Sequence, residues 1–348
     1  MMTLLSLVFF LLLLGLVVAV HEGGHLLACL ALHIPLLEVG IGLPPRLLRL
    51  GRRGATEVTL NALPLGAFVR PAGDFDPLVP DGLASRMGWQ RLLVYVSGAA
   101  ANVLLALFLL TLGFRIGWPD EVRIVDTPSG SPAELAGLRA GDVILAADGT
   151  PVHDAETLSG RIEAVRGGVM VLQIRRGEEI LDLSVEARLS PPAGEGPIGF
   201  TSQGTLVSYP VGAAFVRAAE TVGEMARSTV AAIGALLGFD SGSVGEVRIV
   251  GPLGMKQISD RALANAVAWG EGFPLVYLAA WLSASLGLFN LLPFPALDGG
   301  RAAFLLIEFV RRKRVPARIE ARVHAAGMVV LLTAMLALVA LDLLRPPF

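Results

Sequence analysis

Cys29 is the only cysteine in this 348-residue chain, which excludes an internal disulfide and any cysteine-rich zinc module. Charge is scarce: 17% of residues are Asp, Glu, Lys or Arg, against about 25% in soluble domains. The formal balance of −2 gives the chain no pull towards nucleic acid. Lysine is almost missing. Lys256 and Lys313 stand beside arginines in a basic total of 28, a bias that reads as genome composition. In place of these types are hydrophobic residues, 54% of the chain, with a mean hydropathy of +0.66. That content excludes a disordered chain and an ordinary soluble enzyme. It points to an integral membrane protein with length to spare for a water-soluble module.

Residues 3–20 carry no charge, and apolar sequence resumes at 26–32. The stretch lacks the basic start and small-residue cleavage site of a signal peptide, so a retained spanning helix is expected. Further spans are expected at 92–116, 273–292 and 325–341, which places both chain ends on one side. The short loops carry the arginines: Arg46, Arg49, Arg52, Arg53, Arg70 and Arg86 in one, Arg301, Arg311, Arg312, Arg314, Arg318 and Arg322 in the other. The positive-inside rule puts these loops in the cytoplasm and residues 118–272 across the membrane.

Within that translocated segment, residues 122–188 read as mixed α/β. A short strand at 122–125 is followed by the turn Ser129-Gly130-Ser131-Pro132 and a one-turn helix ended by Gly137. A strand and tight turn follow at 141–149, then a helix at 155–165 and strands at 169–175 and 180–185. The run Gly130-Ser131-Pro132-Ala133 to Gly141-Asp142-Val143-Ile144 resembles a bacterial PDZ domain. Residues 191–197 read as a linker, and 211–237 as an interfacial helix rather than a fifth span.

The chemistry concentrates in His21-Glu22-Gly23-Gly24-His25. On a helix, positions i and i+4 share a face, so both imidazoles can hold one metal ion while Glu22 reaches its water. Ionisable groups in a spanning segment are costly unless they line a cavity or bind an ion. Zinc asks for a third protein ligand. His33 reads as interfacial, Cys29 as a small packing residue, His153 belongs to the translocated segment, and His324 opens the fourth span. Asp298 is the better candidate. It follows Asn290-Leu291-Leu292-Pro293-Phe294-Pro295-Ala296-Leu297, where two prolines break the third helix, and irregular backbone at membrane depth belongs at a cavity.

These motifs, with the PDZ-like insert between them, resemble the site-2 protease family of intramembrane metalloproteases, most closely the bacterial subgroup active in regulated intramembrane proteolysis. The resemblance implies one zinc ion held by His21, His25 and Asp298, Glu22 as general base, and Asn290 on the substrate main chain. It implies a transmembrane substrate such as an anti-sigma factor after a first cut, and residence in the bacterial inner membrane. Residues 56–70 alternate, turn at Pro64-Leu65-Gly66, and resemble the family's membrane-entering β-loop, with Ala67 and Phe68 where a glycine and a tyrosine are common. Gly98-Ala99-Ala100-Ala101-Asn102 is similar to a Gly-Pro-x-x-Asn pattern of the second span; taken alone, it reads as helix packing.

The expected fold is therefore a polytopic α-helical membrane protein with about four transmembrane helices, a membrane-associated β-loop and an inserted extracytoplasmic PDZ-like α/β domain. The expected divisions are 1–117 with the first two spans, 118–190 for the PDZ-like domain, 191–270 for linker and interfacial helix, and 271–348 with the last two spans. The insert either binds a peptide C-terminus or gates substrates by size. Two other classes compete. A non-catalytic PDZ-containing membrane adaptor with a vestigial metal site is disfavoured by the intact Glu22 and 290–300 segment, and a transporter by the lack of an inverted repeat.

Overall fold

The structure is a computed structural model that describes residues 2–152, 155–192, 195–236, 251–269 and 272–344. In chain order its elements are α1 (Met2–Ala31), β1 (Leu36–Arg53), β2 (Thr56–Pro71), α2 (Gly88–Ile116), β3 (Trp118–Asp126), α3 (Pro132–Leu135), β4 (Val143–Ala147) and β5 (Thr150–Pro151). Then come α4 (Ala155–Ala164), β6 (Val169–Arg176), β7 (Glu179–Glu186), β8 (Thr201–Val207), α5 (Val211–Leu236), α6 (Pro252–Trp269), α7 (Phe273–Asn290), α8 (Asp298–Arg311) and α9 (Ala317–Leu344). The chain divides into two compact units: Met1–Thr111 with Phe215–Phe348, and Leu112–Ala214.

Among the described residues of the helical unit, four helices are long and apolar enough to cross a bilayer: Ser6–Ala31 within α1, then α2, α7 and α9. Their apolar windows are mostly unburied by protein, only 11% covered in α9. Leu12, Leu16, Leu104, Phe108 and Leu336 stand exposed. Water would oppose such a surface, whereas lipid covers it and leaves each helix to satisfy its own backbone. The chain is a multi-pass membrane protein. α7 is the short one, 18 residues, or about 27 Å against a 30 Å hydrocarbon core. It packs on α1, burying Leu13, Val17, Leu278 and Leu282 together. Asp342 near the end of α9 accepts the Gly254 amide in the first turn of α6 at 3.1 Å.

The two long strands of this unit are more than a hairpin. Glu38, Val39, Gly40 and Ile41 of β1 each have two partners, one in 57–60 and one in 67–70 of β2. β2 therefore runs along one side of β1, reverses and returns along the other. The reversal falls between Leu60 and Ala67, both aligned with Ile41, and Gly66 supplies it with φ +82°. A side chain at Gly66 would also strike Val18 of α1, 2.4 Å from its Cγ1.

The second unit is a sheet in the order β7-β6-β4-β3-β8, with β5 paired to β4. Alternation drives its burial: along β6, Met170, Leu172 and Ile174 enter the core, while Val169 and Val171 stay exposed. Asp148 (φ 48°) and Gly149 (φ 72°) form the tight turn between β4 and β5, where both residues need positive φ. Ser131 caps α3 by accepting the Glu134 amide at 3.1 Å, with Pro132 in the first turn. β8 arises from the region expected to be linker, and it completes the sheet against β3. A groove of about 170 Å³ lies beside α4, lined by Leu158, Ile162, Ile198 and Phe200. His153 lies outside the described residues.

Asp142 pins this unit's turns. Its carboxylate accepts Arg176 Nε and Nη2, both at 2.7 Å, and the Arg139 amide at 2.9 Å. Burial pushes the carboxyl up, but the paired Arg176 guanidinium and the Arg139 amide outweigh it and hold it below its usual range. Asp142→Asn should cost roughly 1–3 kcal/mol, read as faster amide hydrogen exchange in β4 and β6 of the full chain. The folded pKa is the lower one, so the contribution is complete above the unfolded value of about 3.9. The gap between wild type and variant should close as pH falls through the lowered pKa; a gap that persists there would show that the pair contributes nothing.

Candidate metal centre

His21 and His25 lie one turn apart on α1 and project the same way. Their Nε2 atoms are 3.3 Å apart. Asp298, the first residue of α8, brings Oδ2 to 3.0 Å from His21 Nε2 and 3.1 Å from His25 Nε2. A tetrahedral zinc site with bonds of about 2.0–2.1 Å has donor–donor edges of about 3.3 Å. Two imidazole nitrogens and a carboxylate oxygen at these separations fit three corners of such a site. α2 leaves the room. A Cβ at Gly98 would sit 2.4 Å from His25 Nε2 and 2.7 Å from His21 Nε2, and Gly24 lets the two helices approach, since its Cβ would meet the Ser97 carbonyl at 2.3 Å. Gly23 faces open space.

The outer nitrogens of both rings turn to α2. His25 Nδ1 lies 2.8 Å from the Val94 carbonyl, an acceptor, so that nitrogen carries the hydrogen and Nε2 keeps its lone pair. His21 Nδ1 lies 3.4 Å from the side-chain amide nitrogen of Asn102. Glu22, beside His21, accepts the Val69 amide of β2 at 2.9 Å. Val69 sits in the returning half of β2, so this strand edge meets α1 at the metal-binding turn.

Asp298 is delivered by unwound chain. α7 stops at Asn290, and α8 begins eight residues later; Pro293 and Pro295 deny the intervening stretch its helical amides. Ala296 holds φ +82°, and its amide donates to His324 Nδ1 at 2.9 Å. Gly327, one turn beyond His324 on α9, lets Pro295 lie against the helix, for a Cβ there would be 2.4 Å from the Pro295 carbonyl oxygen. Gly299 and Gly300 press on the carbonyls of Leu291, Leu292 and Phe294 at distances no Cβ tolerates. Arg301 then ties α8 to the segment after β2 by donating to Asp74 at 2.6 Å. Farther along α8, the half-buried Glu308 pairs with the buried Arg91 of α2 at 2.6 Å.

The cluster unites His21, His25 and Asp298 across 277 residues of sequence. Asn290 is half-buried at the end of α7, its amide nitrogen donating to the Leu286 carbonyl at 3.0 Å. Cys29 is buried in an apolar cluster with Ile34, Leu83 and Tyr95. His33 terminates α1's turn with φ 54°, and its carbonyl accepts Arg86. His324 serves the backbone that carries Asp298, a role its position in the sequence does not announce. Gly98 and Asn102 line the site too; the Gly-x-x-x-Asn spacing, one helical turn, was the available signal.

Residues 9–334 match peptidase family M50. A Clostridium perfringens protein that carries a zinc metalloprotease name is 30% identical over 97% of this chain and 98% of its own length. A Nostoc protein named likewise is 33% identical over 92% of this chain and 90% of its own. The Caulobacter vibrioides metalloprotease MmpA is 28% identical over 96% and 94%. Among solved structures, the PDZ domain of an SdrC-like protein from Listeria monocytogenes aligns at 21% identity over 24% of this chain and 87% of that one, with a TM-score of 0.22. With the family match spanning nearly the whole chain and a histidine–histidine–aspartate cluster between its apolar helices, the protein belongs to peptidase family M50, the site-2-type zinc metalloproteases that cut substrates within membranes.

Proposed function

We propose that His21, His25 and Asp298 hold one zinc ion, that Glu22 is the general base, and that the substrate is the transmembrane segment of another membrane protein. The carrying observation is the convergence of Nε2, Nε2 and Oδ2 at 3.0–3.3 Å beside Glu22, with both rings on a helix otherwise apolar. The chemistry zinc supplies in such a site is an acidified water and a polarised carbonyl. Glu22 takes the proton from the attacking water on a carboxylate oxygen and passes it to the leaving amine nitrogen.

A helical substrate hides its carbonyls in i to i−4 bonds and must be held extended before it can be cut. The edge of β2 at residues 67–71 suits this, since an added strand gains main-chain hydrogen bonds there and Val69 touches Glu22. Asn290 then contacts the other edge of the substrate main chain. Counted from residue 3, His21 lies roughly 27 Å along α1, so the cut falls towards the cytoplasmic side and releases a cytosolic fragment. That outcome suits signalling, with an anti-sigma factor trimmed by an earlier cut as the substrate.

The sheet unit reads as PDZ-like. Its Ser131-capped turn, its Gly141-Asp142 corner and the groove beside α4 support this, and the groove's mixed lining of Leu158, Ile162, Phe200, Ser159 and Ser202 suits a peptide C-terminus. Within this proposal the PDZ-like domain expected at residues 118–190 extends through β8 to Val207, between 1–117 and 271–348, and the interfacial helix is α5. The arginine-rich loops support a bacterial inner-membrane orientation with the sheet unit extracytoplasmic.

Glu22→Gln should keep one zinc per chain and slow cleavage of a single-span substrate in detergent by about 10²–10⁴-fold; cleavage at the wild-type rate would falsify the base assignment. Asp298→Ala should lower the zinc-to-protein ratio, and an unchanged ratio removes Asp298 from the ligands. In Gly98→Ala the added methyl occupies the space between the two Nε2 atoms. Zinc content should fall while circular dichroism keeps its helical amplitude; full zinc occupancy in that variant would place the metal elsewhere.

A further inference from the structure

Asn102 is fully buried on α2, walled by α7, where Ser283 donates to its backbone carbonyl at 2.9 Å and Gly287 approaches its Cβ. Its side-chain nitrogen faces His21 Nδ1 at 3.4 Å, and its Oδ1 has no hydrogen-bond partner among the described residues. A buried amide oxygen left unpaired costs about 1–3 kcal/mol, so the orphan calls for a partner. The neighbouring ring identifies one. For His21 to offer the Nε2 lone pair, its hydrogen must sit on Nδ1, and a nitrogen bearing a hydrogen needs an acceptor. An amide NH₂ cannot accept. The two ends of a side-chain amide exchange by a half-turn about its last torsion, and oxygen and nitrogen are nearly isosteric.

We propose that Asn102 is a positioning residue for the metal centre: turned so that Oδ1 accepts from His21 Nδ1–H, it fixes the tautomer that leaves Nε2 free for zinc. His25 supplies the parallel on the same pair of helices. Its Nδ1 meets a backbone carbonyl at 2.8 Å, an acceptor that cannot be mistaken for a donor. α2 thus serves both rings from positions about two turns apart, with a main-chain oxygen for His25 and a side-chain oxygen for His21. Polar partners behind ligand histidines orient the ring and raise its basicity.

The inference rests on His21 being a zinc ligand, and the test separates the two. Zinc affinity is measured by chelator competition on the full detergent-purified chain for wild type, His21→Ala, Asn102→Leu and Asn102→Asp. Leucine keeps the volume and removes the acceptor; aspartate keeps an acceptor. Asn102→Leu should bind zinc about 10–100-fold more weakly, and Asn102→Asp should stay within about threefold of wild type, an affinity rescue that lost packing alone would not produce. Wild-type affinity in Asn102→Leu, or a loss in Asn102→Asp equal to that in leucine, overturns the proposal. Normal zinc binding by His21→Ala overturns the ligand assignment instead. Should the leucine variant fail to fold, nitrogen-15 histidine spectra of the zinc-loaded wild type decide. A hydrogen-bonded Nδ1–H on His21 supports the proposal, and an unbonded one overturns it.

Discussion

Two imidazoles and a carboxylate share a space of a few ångströms among helices whose outer faces are leucine, valine and phenylalanine. Left separate, each would be a costly polar group in an apolar medium. Brought together around a cation, the same groups become mutually satisfying, and much of the helical unit is arranged to keep them there. α1 supplies the pair of rings, α2 supplies the partners behind them, and α8 supplies the opposing charge. The cleavage chemistry of the family depends on that assembly holding its geometry where the surrounding dielectric is low.

Small residues decide how closely the parts approach. Gly24 and Gly98 let α1 and α2 meet around the rings, Gly299 and Gly300 let α8 start directly beneath carbonyls of the preceding chain, and Gly327 lets α9 press on Pro295. In water, packing of this kind is helped by the hydrophobic effect; between lipid-covered helices it relies on contact and hydrogen bonding. A methyl group at these positions therefore acts on the spacing of the ligands before it acts on the helices themselves.

Much of this was legible from residue order. His21 and His25 at one-turn spacing and the proline-broken approach to Asp298 carry local signals, and uncharged runs marked the four helices of spanning length. Period-two burial along β6 and the Asp148-Gly149 turn were equally plain. Other features leave no local trace. β1 is interrupted by Pro44 and Pro45 and studded with arginine, so its register with both halves of β2 arises only from tertiary pairing. β8 is short and weakly patterned, and it becomes a strand because β3 offers an edge. α6 mixes charge with apolar residues over 18 positions, too evenly to declare a face. His324 could be weighed as a ligand from its type, but nothing in sequence says that its ring takes a hydrogen bond from a backbone amide.

That last contact ties the position of Asp298 to a helix that contributes no ligand. Ala296 is held from α9, and Arg301, three residues past the carboxylate, is held from the segment following β2. The aspartate is thus strung between two anchors remote from each other in sequence, like a bridge deck between piers. Damage to either pier would leave every helix standing and still spoil the span, so faults in the fourth membrane helix should surface as lost metal rather than lost fold.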